Sequence, residues 1–218
     1  MTHKNRLAVL LGAAMLVLGA AAASSAFAVE FHSDSSTGNT VITNTTTTGT
    51  SHKIDTAGNN VTCTTASFSG TMAGNTASAI ALEATYSGCT FFGVSVSLSM
   101  GNCRYEFKAN GEAAIIDKPG KDCSAQPITY KALFLSSCHV TIGEQSGLKS
   151  VAYDGGTTDK GTITITPAIS GITYTATGSL CSKTGMQSDG NYTSGTTSLT
   201  CYVDTAGVEG ASTPCWVA

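Results

Sequence analysis

Most hydrolytic mechanisms need a side chain that changes charge near neutral pH, and histidine is the side chain that does so. Of the four histidines in this chain, His3 lies in an apolar N-terminal segment and His32 in the polar stretch that follows it. His139 falls on the outward phase of its strand, whereas His52 neighbours Ile54 and is expected to be partly buried. No G-x-S-x-G nucleophile motif accompanies either of them. We therefore predict no catalytic residue, and the protein is predicted not to be an enzyme.

The carboxylates offer two other kinds of chemistry, glycoside hydrolysis and calcium binding. Glu83 and Glu106 each occupy an outward strand position, and no spacing places two carboxylates across a cleft. Acidic turns at 154–159 and 188–191 cluster several oxygens, but neither matches the twelve-residue calcium loop. Asp-Gly turn chemistry alone accounts for both segments. We predict no metal site, no cofactor and no cofactor-binding residue.

Three aromatic residues near the C-terminus, Tyr192, Tyr202 and Trp216, are candidates for stacking against a ligand. Tyr202 alternates with Cys201 along its strand and is expected to face outward. An exposed ring on a strand can hold a polysaccharide through its apolar face. The competing interpretation is that Tyr192 and Trp216 fill the core beneath a disulfide, and the sequence leaves both interpretations open.

Cysteine usage carries the strongest structural signal. All the cysteines lie downstream of residue 28, at Cys63, Cys89, Cys103, Cys123, Cys138, Cys181, Cys201 and Cys215. An even number in an exported chain predicts up to four disulfides, and the C-x-x-C spacing of common zinc sites is missing. The spacing does not decide which cysteines pair.

Residues 1–28 are typical of a secretory signal peptide. Lys4 and Arg6 precede the apolar run 7–23, and Ala-Phe-Ala at 26–28 forms a cleavage site. The rival interpretation is an uncleaved anchor, although a run of 17 residues is short for a bilayer core. The prediction is therefore a secreted or cell-surface protein that does not contact the membrane after cleavage.

Composition narrows the range of partners. Without Lys4 and Arg6, nine basic residues face fourteen acidic ones, which leaves a net charge of −5. This balance argues against nucleic acid and anionic membranes, because both require basic patches. The chain holds 34 Thr and 25 Ser, and β-branched Thr suits the solvent face of a strand. The polar segment 29–50 is predicted to be flexible, with one short edge strand at 40–43.

From residue 51 onward, apolar and polar residues alternate in the pattern of half-buried strands. The predicted strands are 61–68 (with a bulge), 80–86, 94–100, 103–108, 128–131, 138–142, 148–153, 162–166, 172–176 and 199–203. Ser-Gly pairs are predicted to form turns, and 111–118 is the best helix candidate. This pattern predicts one all-β domain at 51–218, a disulfide-stapled antiparallel β-sandwich that is Ig-like or jelly-roll-like. Near residue 88 a predicted strand is followed by a Ser-Gly pair and a second strand, and the same order recurs near residue 171. This repetition reflects either an internal duplication or chance.

The order of several short segments resembles a group of secreted bacterial disulfide-containing β-proteins that carry no assigned function. The resembling segments are VTCTTASFSGT, YSGCT, MGNC, SCHVTI, GITYTATGSLC and the closing YVDTAGVEGA with WVA. The resemblance implies secretion and a compact β fold, and it transfers no catalytic or binding residue. Cys201 and Cys215 are additions to the pattern of this group, and for that reason we expect them to pair with each other.

These observations favour a secreted, non-catalytic extracellular or cell-surface protein with a structural or adhesive role. One alternative is a carbohydrate or cell-wall binding module that uses the C-terminal aromatic residues. Another is a secreted hydrolase of a type that no motif reveals. The sequence identifies no partner; cell-wall polysaccharide and a surface protein are the two candidates. A sandwich fold by itself does not choose among these functions.

Overall fold

The computed structural model describes residues 29–44, 51–56, 59–91, 93–132, 138–155, 161–179, 181–206 and 208–218. The predicted signal peptide and residues 45–50 lie outside the described residues. The chain forms antiparallel strands joined by turns, and no described residue lies in a helix. The strands are Phe31–Ser33 (β1), Asn39–Thr43 (β2), His52–Thr56 (β3), Asn59–Ala73 (β4), Thr76–Ala77 (β5), Ala79–Phe91 (β6), Val94–Ser99 (β7), Cys103–Lys108 (β8), Glu112–Asp117 (β9), Ile128–Ala132 (β10), His139–Ile142 (β11), Gln145–Lys149 (β12), Val151–Asp154 (β13), Thr162–Thr177 (β14), Gly185–Ser194 (β15), Thr197–Thr205 (β16), Val208–Thr213 (β17) and Cys215–Val217 (β18).

Most strands belong to one large antiparallel sheet that encloses a single core. Its hydrogen-bonded path runs β12-β9-β8-β6-β7-β10-β11-β14-β15-β3-β4-β2-β16-β17. Two further pairings, β4 with β6 and β14 with β16, join distant parts of this path to each other. The buried apolar side chains form one continuous cluster between the layers. The prediction of an all-β, single-domain, disulfide-stapled fold is confirmed, with the two layers connected through shared strands rather than separate.

Three strands, β4, β6 and β14, are long enough to run past successive neighbours. In β6 and β14 the buried side chains change phase at Ser87–Gly88 and at Ser170–Gly171. Gly88 and Gly171 both have positive φ, 60° and 77°, which favours glycine. A Cβ on Gly88 would also lie 2.2 Å from Thr64 Oγ1. The turns predicted at these Ser-Gly pairs are therefore wrong, because neighbouring strands keep the chain extended through each kink.

The bulge predicted within 61–68 is also absent from the pairing of β4 with β6. Their register stays constant from Val61 opposite Phe91 to Thr71 opposite Ala81. The apolar phase nevertheless changes in both strands at the same level, between Cys63 and Ala66 in β4. Since both strands carry one extra residue there, the irregularity is matched and the register survives.

Two side-chain amides complete the backbone hydrogen bonding where a long strand changes partners. Along β4, β3 pairs with 59–63 and β2 with 69–73. In the gap, the Asn44 side chain donates to Ala66 O at 3.2 Å and accepts from Phe68 N–H. Along β14, Gln145 donates to Thr173 O at 3.0 Å and accepts from Thr173 N–H at 2.8 Å. Each amide imitates a missing peptide unit. The groups that Asn44 bonds are buried and require a partner, whereas the Thr173 groups that Gln145 bonds are exposed.

The N-terminal part of the described chain differs from its prediction. Residues 29–44 were expected to be flexible, yet β1 lies between β18 and β5, and Phe31 is fully buried. The strand predicted at 40–43 exists as β2, but it lies between β4 and β16 rather than at an edge. The apolar side chains Phe31 and Ile42 supply the burial that the polar composition of this segment concealed.

The helix candidate at 111–118 is the strand β9. Ala113, Ala114 and Ile115 are consecutive and all buried, because β9 is covered on both faces while it pairs with β8 and β12. A strand covered on both faces lacks alternation, and its sequence cannot be distinguished from a short buried helix.

Replacing Asn44 with Leu should lower the free energy of unfolding by about 2–4 kcal/mol, because it leaves one buried N–H and one buried C=O unpaired. Asn60, which is exposed on the neighbouring part of β4, offers the control Asn60→Ala, for which we expect a change under about 0.5 kcal/mol. Guanidinium denaturation of the oxidised proteins measures both values. Equal stabilities of the two variants would contradict the peptide-like role of Asn44.

Thr197 should be replaceable by Val with a gain in stability. Its hydroxyl is buried without a hydrogen-bond partner in the part of the chain that the structure describes. Removing an unsatisfied buried hydroxyl should raise the free energy of unfolding by about 1 kcal/mol. Thr200→Val, on the opposite phase of β16, should have little effect in the same thermal denaturation assay. A loss of stability in Thr197→Val would contradict this prediction and show that the hydroxyl bonds a buried water molecule.

Candidate functional site

The most distinctive chemical grouping in the core is a cluster of His52, Tyr86, Tyr105 and Tyr192, hereafter the His-Tyr cluster. His52 points inward because it shares the phase of Ile54 on β3, and only 1% of it is exposed. Its Nδ1 lies 2.9 Å from the Tyr192 hydroxyl. The Tyr86 hydroxyl lies 3.2 Å from that of Tyr105 and 3.3 Å from that of Tyr192. Four strands, β3, β6, β8 and β15, therefore supply one hydrogen-bonded network.

Burial controls the protonation of this cluster. It lowers the pKa of His52 below 6.5 and raises the pKa of Tyr105 to about 12. Burial also raises the pKa of Tyr86 and of Tyr192. Tyr105 and Tyr192 raise the pKa of Tyr86 further, whereas for Tyr192 the charge interaction with Tyr105 raises the pKa and the hydrogen bond with Tyr86 lowers it. All four side chains are consequently neutral at physiological pH, and a neutral side chain needs no oppositely charged partner in the core.

The His-Tyr cluster has the components of a proton relay but no access to a substrate. A general base must reach the proton that it abstracts, directly or through one water. The two small cavities that Tyr192 lines have volumes of about 10 Å³ each, which is at most the space of a single water. Phe68 packs at 6.0 Å between ring centres from His52 and closes that side. The cluster is best understood as a polar part of the core.

The three predicted stacking residues do not form one platform. Tyr192 is 3% exposed and belongs to the His-Tyr cluster, a placement that agrees with the competing interpretation that it fills the core. Tyr202 is half-buried on β16, and Trp216 is half-buried on β18, where its ring stacks on His32 at 5.2 Å. Tyr192 lies opposite Ile54 in the pairing of β15 with β3. Because Ile54 points into the core, the Tyr192 side chain points into the core as well.

The carboxylates are accounted for by local contacts. Glu83 forms an ion pair with Lys118 at 3.4 Å on the surface. Asp154 accepts a hydrogen bond from Gly155 N–H, and residues 156–160 of the same acidic turn lie outside the described residues. Asp189 bonds Lys183 and the Tyr174 hydroxyl, and both contacts lower the pKa of Asp189. Across the described residues, no group of three His, Cys, Asp or Glu side chains is placed to hold a metal ion.

All eight predicted cysteines form intramolecular disulfides, and the described chain has no free thiol. The pairs are Cys63–Cys89, Cys103–Cys123, Cys138–Cys181 and Cys201–Cys215. The last pair is the one that the resemblance implies. Four intramolecular disulfides are typical of extracellular proteins.

Comparison with protein-family models, curated proteins and solved structures found no match for this chain. In the residues that the structure covers, no helix is long and apolar enough to cross a membrane.

Two features of the molecule were not predicted from the sequence. The first is the His-Tyr cluster, of which only the partial burial of His52 was expected, because its hydrogen bonds join residues up to 140 positions apart. The second is a surface groove that is lined by Thr141, Thr175 and Met186, among others. The pattern His52-x-Ile54 was the available signal for the cluster, whereas no local signal marked the groove.

Acid should destabilise this protein through His52. Because the pKa of His52 is lowered in the folded protein, the unfolded chain binds a proton near pH 6.5 while the folded protein still does not. Stability is therefore fully present above pH 6.5 and falls as the pH drops below it, by at most about 1.4 kcal/mol per pH unit.

Denaturant unfolding between pH 7.5 and 5 measures this effect. We expect His52→Gln to reduce the pH dependence, because glutamine can still bond Tyr192 but does not titrate. An unchanged slope in His52→Gln would contradict the assignment to His52.

Proposed function

We propose that this is a secreted, non-catalytic protein with a structural or adhesive role outside the cell. The observation that carries the proposal is the set of four disulfides, which includes every cysteine of the chain. Disulfides persist in oxidising compartments and are rare in the cytosol. The signal-peptide pattern of residues 1–28 and the resemblance to secreted bacterial β-proteins support the same location.

A non-catalytic role is supported by the placement of the reactive side chains. The best-partnered histidine, His52, is sealed in the core, and the thiols are consumed by disulfides. The outward faces of the strands carry mainly hydroxyls and few charges. Such a surface, on strands linked by disulfides, suits long persistence outside the cell.

A second candidate function is binding of carbohydrate or cell wall at the C-terminal aromatic residues. Tyr202 and Trp216 adjoin Cys201 and Cys215, whose disulfide fixes β16 relative to β18. Trp216 stacks in parallel with His32, with an interplanar angle of 8°. The stack holds the indole in one orientation, which a sugar-binding platform requires.

Export and oxidation can be tested on the full chain expressed in a bacterial host with a secretion pathway. We expect the exported protein to begin at Val29 and its mass to rise by eight hydrogens on reduction, because each disulfide takes up two. The variant Ala28→Phe should block cleavage and serve as the control for processing. A cytoplasmic protein with an intact N-terminus and free thiols would refute the proposed location.

The adhesive role is tested by co-sedimentation of the exported protein with purified cell walls and with intact cells. Saturable retention on either one, or self-assembly in analytical ultracentrifugation, is the expected result. Turnover of a chromogenic glycoside, ester or peptide substrate by the purified protein would overturn the non-catalytic assignment.

A further inference from the structure

A surface groove lies at the meeting point of β11, β12, β14 and β15, and the stretch 173–175 of β14 lines it. Its volume is about 320 Å³, at the lower end of small-molecule sites, which span roughly 300–1,000 Å³. The floor is formed by Thr141, Thr173 and Thr175, and the turn between β11 and β12 contributes Glu144. We propose that this groove binds a short segment of a neutral saccharide. The proposal goes beyond the structural or adhesive role and does not depend on it.

The walls of the groove are held rigidly by independent contacts. Ser124 belongs to a loop anchored by the Cys103–Cys123 disulfide, and Asp122 Oδ1 accepts the Ser124 N–H at 2.8 Å. On the other side, the Gln145 amide binds both backbone groups of Thr173. A site that is ordered before binding loses little conformational entropy when it takes a ligand.

The lining selects for a neutral, hydroxyl-rich ligand. Apart from Tyr174, whose hydroxyl donates to Asp189, the polar side chains in it are serine and threonine hydroxyls, one amide and the carboxylate of Glu144, and the described lining contains no Lys or Arg. Because anions would meet Glu144 without a compensating cation, phosphates and uronic acids are disfavoured. Hydroxyls that both donate and accept match the hydroxyls of a sugar.

One apolar side chain complements these polar groups. Met186 borders the groove and is 77% exposed, whereas the other methionines of the described chain are buried. A flexible thioether that stands over hydroxyls can pack against the C–H face of a sugar ring. The groove therefore pairs hydrogen-bonding groups on its floor with an apolar contact at its rim.

A row of hydroxyls continues from the groove across neighbouring strands. Thr175 pairs with Thr141, Thr141 with Thr129, and Thr129 with Ser99, while Met186 pairs with Thr175 at the other end. Neighbours in this row are separated by about 4.8 Å, the spacing between strands. A saccharide longer than the groove would therefore continue over Thr129 and Ser99.

The test is titration of the full, oxidised protein with cellotriose, maltotriose, mannotriose and N,N′,N″-triacetylchitotriose, followed by NMR and calorimetry. At least one of these should bind saturably, and trigalacturonate should not. In the double variant Thr173→Val, Thr175→Val the affinity should fall about tenfold, because two hydroxyl hydrogen bonds are lost while the β-branched shape is kept. The matched control Thr162→Val, Thr164→Val, on the same strand outside the groove, should bind like the wild type.

Several outcomes would overturn the proposal. These are the absence of binding to all four neutral probes, equal affinity of the two double variants, and tighter binding of trigalacturonate than of the neutral probes. Binding that Trp216→Ala abolishes while the groove variant retains it would place the saccharide at the C-terminal aromatic residues instead. Thermal denaturation of each variant confirms that a loss of affinity is not a loss of folding.

Discussion

The fold depends on a constraint that acts on β4, β6 and β14: every buried backbone N–H and C=O must be bonded, even where a strand changes neighbours. The long strands connect the two layers, so each leaves one partner and meets another partway along. At these points ordinary ladder pairing fails. The Asn44 side chain supplies the missing hydrogen bonds to buried groups of β4, and Gln145 does the same for the exposed Thr173 of β14. Gly88 and Gly171 allow β6 and β14 to turn their buried faces over. The enclosed core is possible because these few positions are satisfied.

Like the backbone groups, the polar side chains of the His-Tyr cluster find their hydrogen-bond partners inside the core. His52 and the three tyrosines of the cluster bury large rings, and their hydroxyls and imidazole satisfy one another. The result is a core that is both aromatic and hydrogen-bonded, held neutral by burial. Outside this core, polarity comes mainly from hydroxyls, since the chain has 34 Thr against 25 charged residues.

Much of the fold could be predicted from the sequence, and the failures have physical reasons. Alternation marked β7, β8 and β11 because each has one face buried and one exposed. It missed β9, which is covered on both faces, and β1, whose single large apolar residue is Phe31. Ser-Gly pairs are read as turns, yet a positive φ also serves a kink within a strand, and only distant neighbours decide between the two. The site was less predictable still, because Tyr192 is joined to His52 by strand pairing across the chain, and the groove is assembled from strands and loops far apart in sequence.

The pairing of β1 with β18 has a mechanical consequence. Glu30 and Ala218 exchange backbone hydrogen bonds of 2.7 and 3.0 Å, so these two residues lie side by side at one end of the strand pair. A tension applied between these two residues would load the antiparallel pairs one after another, as in opening a zipper, rather than all together. The strand pair would open from Glu30 until the load reached Cys215, where the covalent bridge to Cys201 transfers it to the main sheet. The residues after Cys215 can thus be pulled into an extended segment, and the disulfide limits how far this extension goes.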